Sequence, residues 1–254
     1  MLSLNKRIEI KIRNTYSSSD KIRKDDLYKL LSESFYKDLK LSTFYWRIHE
    51  LKKAGVIVPV EKGVYKLSEE KKVYSPMISN KQRRINRLIN NAYKDINYCS
   101  WNSNWLNEFS RHQAYSNVLI LNIEREFMKP VFHLLTDKAF MNLYINPDKV
   151  MFDDYISENR ESIVIIPFIT KSPVLKITRV PTPRLEKILV DTFCENNLLQ
   201  AYRGEELNVI FSNAFNDYIV DIAKLVNYSC RRKKDKELKD FLIQNKIIEK
   251  DVMV

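Results

Sequence analysis

Two pairs of carboxylates stand where phosphodiester chemistry would use them. Glu124 and Glu126 follow the apolar run VLILNI, and Asp153-Asp154 follow VMF, so each pair can close a strand. Carboxylates in that position hold magnesium, which activates water and steadies a leaving phosphate. Other signatures of catalysis are missing. The chain has only three glycines, and neither GxxxxGK[ST] nor GxGxxG can be written. Cys99, Cys194 and Cys230 are odd in number and widely spaced, with no CxxC, and His49, His112 and His133 are scattered. That spacing argues against a zinc site or a disulfide framework.

A nuclease of the PD-(D/E)xK kind needs an acidic residue and then E-x-K on adjacent strands. No strand-like run here reads that way, and Glu186-Lys187 falls in a helical stretch without the spacer. Gly-Ser followed by paired aspartates, as in a nucleotidyltransferase, is absent too. The reading is therefore a non-enzyme with no catalytic residues, no cofactor and no metal. A PD-(D/E)xK-like nuclease or other nucleic-acid-processing enzyme with a targeting domain is the alternative.

Charge points to a different chemistry. The chain carries 43 Lys+Arg against 32 Asp+Glu, a net charge of +11. Residues 1–90 hold 21 basic and 10 acidic side chains, and residues 91–254 hold 22 of each. A basic domain neutralises phosphates and releases their counterions, which drives affinity for nucleic acid without reading its sequence. The elements at this end fit such a partner. Leu4, Ile8 and Ile12 recur as in a helix, Ser17-Ser18-Ser19 break it, and KDDLYKLL (Lys24–Leu31) supplies a second helix. After a linker of about ten residues, Ser42 reads as the N-cap of a third helix. Phe44, Ile48 and Leu51 form its inner stripe, and Gly55 ends it. Val56–Val60 and Val64–Leu67 then form a hairpin across Glu61-Lys62-Gly63, with Gly63 taking positive φ. Three helices and a hairpin make a winged helix-turn-helix, whose third helix enters the major groove of DNA. The residues placed on DNA are Ser42, Thr43, Tyr45, Trp46, Arg47 and Lys53 on that helix, and Lys62 and Tyr65 on the hairpin.

The rest reads as mixed α/β. Residues 1–75 form the DNA-binding domain, 76–92 a basic connector helix capped by Ser79, and 93–254 a C-terminal domain. Val118–Ile123, Lys129–Leu134, Ser162–Phe168 and Val174–Val180 look like strands, and Trp105–Arg111 and Asp137–Tyr144 like helices between them. From Pro183 the pattern becomes helical to the end, and Arg231-Arg232-Lys233-Lys234 lie at a helix terminus. No apolar run approaches the length of a membrane span. A cytoplasmic protein without a membrane partner is expected.

The runs TPRLEKILVDTF and AYRGEELNVIFSNAFNDYIVDIAKLVNYSCRRKK resemble the C-terminal part of AbiEi-type antitoxins and related transcriptional regulators. That family ends its N-terminal winged helix in W-R, L, G and G-V-Y, matched here by Trp46, Arg47, Leu51, Gly55, Gly63, Val64 and Tyr65. The resemblance covers both ends of the chain, and residues 91–180 match only in α/β character. It implies the antitoxin of a type IV toxin–antitoxin system. Such a protein represses its own operon at inverted repeats in double-stranded DNA. It also counters a nucleotidyltransferase-like toxin without needing a stable complex with it.

Overall fold

A computed structural model describes residues 4–17, 20–68, 71–195 and 197–248, with every side chain among them except those of Lys6 and Lys53. The chain is mixed α/β and divides into two units, Met1–Lys72 and Val73–Val254.

The first unit runs α1 (Leu4–Thr15), β1 (Ile22–Arg23), α2 (Lys24–Phe35), α3 (Leu41–Lys53), β2 (Ile57–Glu61) and β3 (Val64–Leu67). The helices close on a core in which Ile8, Ile12, Leu27, Leu31, Phe44, Ile48 and Leu51 are buried, as their helical spacing predicts. Each such side chain contributes about 1.5–3 kcal/mol on leaving water. Gly55 ends α3 at φ +66°, and the Val56 N–H donates back to the Leu51 carbonyl across 2.9 Å. A left-handed residue there lets the last carbonyls of the helix find donors. Gly63 turns the hairpin at φ +77°.

Several local expectations shift. The cap of α3 is Lys40, not Ser42, and its side chain makes no capping bond. Buried Leu39 anchors the chain just ahead of this point, so the helix starts at Leu41 and Ser42 lies inside it. Helix α2 continues to Phe35, because Phe35 also packs on the core. Glu61 pairs with Val64, so the hairpin loop is Lys62-Gly63 with a register slip between Pro59 and Glu61. Strand β1 was not expected. Ile22 and Arg23 pair with Tyr65 and Val64, giving an antiparallel sheet in the order β1-β3-β2. Ser18 and Ser19 of the expected helix break lie outside the described residues.

The second unit opens with α4 (Asn80–Ala92) and β4 (Tyr98–Asn102), followed by a 3-10 turn, Ser103–Glu108. Next come β5 (Asn117–Ile123), a 3-10 turn at Arg125–Phe127, α5 (Met128–Asp137) and β6 (Leu143–Ile145). α6 (Lys149–Met151) runs into a π-helical turn at Phe152–Ile156 and leads to β7 (Glu161–Pro167). The hairpin β8 (Val174–Ile177) and β9 (Val180–Pro183) precedes α7 (Leu185–Cys194), α8 (Glu205–Asp217), α9 (Ile222–Arg231) and α10 (Asp235–Gln244).

The main sheet has the order β4-β5-β7-β6, with β4 antiparallel to β5 and the other three strands parallel. The central strands β5 and β7 are largely apolar runs because both faces of the sheet are covered. Leu119, Leu121, Ile163 and Ile165 pack with Ile85 and Ile89 of α4 and Val131 and Leu135 of α5. The alternate residues Ile120 and Val164 face the other way, toward Ile188 of α7, Phe211 of α8 and Leu225 of α9.

The expected connector helix is thus an integral layer of the second unit, with Ser79 capping it by accepting the Gln82 N–H at 3.2 Å. Lys129–Leu134 is helical rather than extended, since Met128, Val131 and Leu135 recur at helical spacing against the sheet. The expected helix Asp137–Tyr144 is broken by positive φ at Ala139 and Asn142 and yields β6. Of the expected helix Trp105–Arg111, only its first four residues are helical, within the 3-10 turn Ser103–Glu108. Val174–Val180 folds into a hairpin, with Thr178 and Arg179 at positive φ. Pro183 closes β9 instead of opening α7, and Arg184 sits at the helix cap. Among the described residues no helix is long and apolar enough to cross a membrane.

Candidate nucleic-acid interface

The outer face of α3 is built by default from what its inner stripe leaves over. With Phe44, Ile48 and Leu51 buried, Ser42, Tyr45 and Trp46 are turned outward, and Tyr45 and Trp46 are each 50% exposed. Thr43 is half-buried at the flank. Two half-exposed aromatic rings side by side on one helix face are an apolar patch of the kind that marks a contact surface.

Lys24 organises this face, although the sequence reading left it among the residues of a second helix. Its backbone N–H donates to the Gly63 carbonyl at 2.8 Å, which ties the start of α2 to the hairpin turn. Its ammonium donates to the Tyr45 hydroxyl at 2.7 Å and lies 4.8 Å from the ring centroid. That hydrogen bond raises the Lys24 pKa above its usual value, assisted by the negative charge of Asp25, so the group stays cationic. The β1 pairing is what brings Lys24 here, and no local motif announces it.

Arg47 is committed inward. Its guanidinium donates to the Tyr36 hydroxyl at 2.6 Å and to the Asn5 side chain, and it lies 4.5 Å from the Trp46 ring. It therefore buttresses Trp46 and joins α3 to α1 rather than projecting from the face. Lys62 is exposed at the tip of the hairpin. Tyr65 is half-buried against the core, held between Ile22 and Pro59 in the sheet register. The Lys53 side chain lies outside the described residues. Ser42, Tyr45, Trp46 and Lys24 thus come together on one unit, with Lys62 on the adjoining turn.

Three cations of the helix expected as a basic connector are each held by neighbours. Lys81 pairs with Glu161 at 2.5 Å, and Arg84 donates to the Lys138 carbonyl at 3.2 Å and lies over the Phe140 ring. Arg83 bonds Asn80 on its own helix. By sequence, residues 1–72 hold 17 basic and 10 acidic side chains, so most of the positive excess belongs to the first unit.

The carboxylates considered for catalysis do not converge. Glu124 and Glu126 lie at the end of β5, and Glu124 accepts the backbone and side-chain N–H groups of Asn97 at 3.1 and 2.6 Å. Asp153 and Asp154 lie in the crossover between β6 and β7. Among the described residues no three His, Cys, Asp or Glu side chains gather as a metal would require. The adjacent parallel strands read NVLILNI and ESIVIIP, and neither contains E-x-K.

A buried ionic network was also unforeseen. Lys187 on α7 is fully buried and donates to Asp191 one turn on and to the Tyr228 hydroxyl at 3.1 Å. Tyr228 donates to Asp191 at 2.8 Å, and Arg232 reaches Asp191 at 3.4 Å and Glu195 at 2.6 Å. Burial opposes the charge on Lys187, but the Asp191 carboxylate outweighs it and holds the pKa above its usual value. The network clamps α7 to α9. Its one sequence signal is the K-x-x-x-D spacing within α7.

None of the curated proteins matches the chain. A family model described as a family of unknown function, DUF6577, matches residues 43–248, from the start of α3 to beyond α10. The match spans most of the chain, which therefore belongs to the DUF6577 family.

Proposed function

We propose that the chain is a DNA-binding transcriptional repressor that acts as the antitoxin of a type IV toxin–antitoxin system. The observation that carries DNA binding is the first unit's order of helix, strand, two helices and a hairpin, with Lys24, Tyr45 and Trp46 on the open face of α3. In a winged helix-turn-helix that helix lies in the major groove and the hairpin follows the neighbouring backbone. Ser42 reaches base edges or phosphates near the helix start, Trp46 packs on sugar, and Lys24 and Lys62 meet phosphates. Thr43 stands at the edge of the same footprint.

The antitoxin role rests on the resemblance of the chain's two ends to AbiEi-type proteins. On this reading the protein binds inverted repeats in its own promoter in the cytoplasm. It counters a nucleotidyltransferase-like toxin encoded beside it.

The test has two parts. The full chain is titrated onto its promoter duplex across a salt series, and it is co-expressed with the product of the adjacent gene. Tight binding that falls steeply with salt supports repression, as does restored growth for antitoxicity. Salt-insensitive or undetectable binding would sink the first claim, and unrelieved toxicity the second.

A further inference from the structure

The carboxyl edge of the second unit's sheet carries a feature that the DNA-binding reading does not use. Strands β5 and β7 are parallel neighbours, but the chain leaves them toward opposite faces. After β5 it enters α5 on one face, and after β7 it reaches the hairpin and α7 on the other. Such a divergence opens a crevice outside the strand ends, where open α/β sheets bind their ligands.

Three hollows adjoin along this edge, of about 590, 520 and 610 Å³. The first two share Arg125 and Glu126, and the second and third share Lys171. Lys129 lines the first and Arg231 the third, where Arg231 donates to Thr170 of the middle hollow at 2.5 Å. Arg125, Lys129, Lys171 and Arg231 form no ion pair among the described residues, whereas Glu124 is already held by Asn97. Glu126 is the exposed countercharge. Half-buried Phe168 lines the middle hollow together with Arg125 and Lys171.

We infer that this edge is a binding groove for a single nucleic-acid strand. Cations spaced over three linked hollows match successive phosphates, and an aromatic ring among them gives a base a surface on which to stack. A lone phosphate or a mononucleotide would need one hollow, not three. The inference stands on the second unit alone and is independent of the promoter-binding role of the first.

The experiment uses the full chain carrying Trp46→Ala and Lys62→Ala, so that residual binding reports the second unit. Fluorescent single-stranded RNA and DNA of about ten nucleotides are titrated by anisotropy at low salt. Adding Arg125→Glu and Lys171→Glu is expected to weaken binding by about tenfold or more. Adding the equal charge change Lys176→Glu and Lys236→Glu should alter it by less than about twofold. Phe168→Ala, with its fold checked by melting, should weaken the strand but not inorganic triphosphate. Equal losses from both charge reversals would mean unspecific attraction, and unchanged binding in the groove variant would mean no site. Either result overturns the inference. Triphosphate displacing the strand at equal phosphate concentration, with no effect of Phe168→Ala, would also overturn it in favour of a free-phosphate site.

Discussion

The Lys24 ammonium donates to the Tyr45 hydroxyl across 2.7 Å, joining the first residue of α2 to the exposed face of α3. The same residue holds the hairpin turn through its backbone N–H. One residue therefore sets the relative placement of the helix and the turn that the proposed function lays on DNA.

That coupling predicts non-additive losses. Lys24→Ala and Tyr45→Phe should each weaken promoter binding, and the double variant should lose little more than the worse single one. Lys24→Ala should also lower the dependence of log affinity on log salt by about one. A double-mutant cycle by fluorescence anisotropy measures both. Fully additive losses would show that the two side chains act separately.

The buried groups of the second unit predict alkaline sensitivity. Burial pushes the Cys99 thiol up to about 12, with its Sγ 3.6 Å from the Asn122 side-chain oxygen. An unfolded thiol titrates near 8.5. The native state therefore favours the neutral thiol, and this stabilisation is complete below about pH 8.5 and is lost as pH rises toward 12. Each pH unit in that window removes about 1.4 kcal/mol. Burial also raises Cys194, and Lys187 and Tyr228 are raised as well, so they act in the same direction, the last two above about pH 10. Melting temperatures from pH 7 to 11 should fall from about pH 9 in the native chain. In Cys99→Ala, Cys194→Ala the fall should begin about one unit later. An unchanged onset would show that neither thiol drives it.

Much of the first unit was legible because its signals are local. Apolar residues three and four apart, and two glycines at chain reversals, fix α3 and the hairpin. Strand β1 was not legible, since two residues have no periodicity and become a strand only when Tyr65 and Val64 lie opposite. Lys24 was missed for the same reason. In the second unit β4 reads Tyr-Cys-Ser-Trp-Asn, a mixture that suggests no strand, yet all five residues are buried. Asn102 and Ser100 find partners far along the chain, with Asn102 donating to the buried Gln82 of α4 at 3.1 Å and Gln82 donating to the Ser100 hydroxyl at 3.4 Å. Helix α5 was mistaken for a strand because its window is short and rich in residues suited to either period. The groove along the sheet's carboxyl edge draws on β5, β7 and α9, which no single stretch of sequence places together.

The scattered carboxylates predict an outcome for catalysis. The purified full chain should leave plasmid DNA and structured RNA intact in the presence of magnesium or manganese. Glu124 is bound to Asn97, and among the described residues no three His, Cys, Asp or Glu side chains gather as a two-metal site needs. Metal-dependent nicking that disappears in Asp153→Ala or Glu124→Ala would restore the nuclease reading.

Trp46 and Arg47 are neighbours in sequence and in space, yet they should fail in different ways. Trp46 is half exposed on the open face of α3 and is not one of the buried core side chains. Trp46→Ala should therefore leave the melting temperature nearly unchanged while promoter affinity drops by about 1–3 kcal/mol, as for other single DNA contacts. Arg47 instead ties Tyr36 and Asn5 together beneath that ring. Its loss removes charge-assisted hydrogen bonds, each contributing about 1.5–3 kcal/mol. Arg47→Ala should lower the melting temperature and weaken promoter binding only through the loosened support of Trp46. Calorimetry and promoter titrations on both variants separate the two roles. A large stability loss in Trp46→Ala with unchanged affinity would place that ring in packing, and the α3 face would then need another reading.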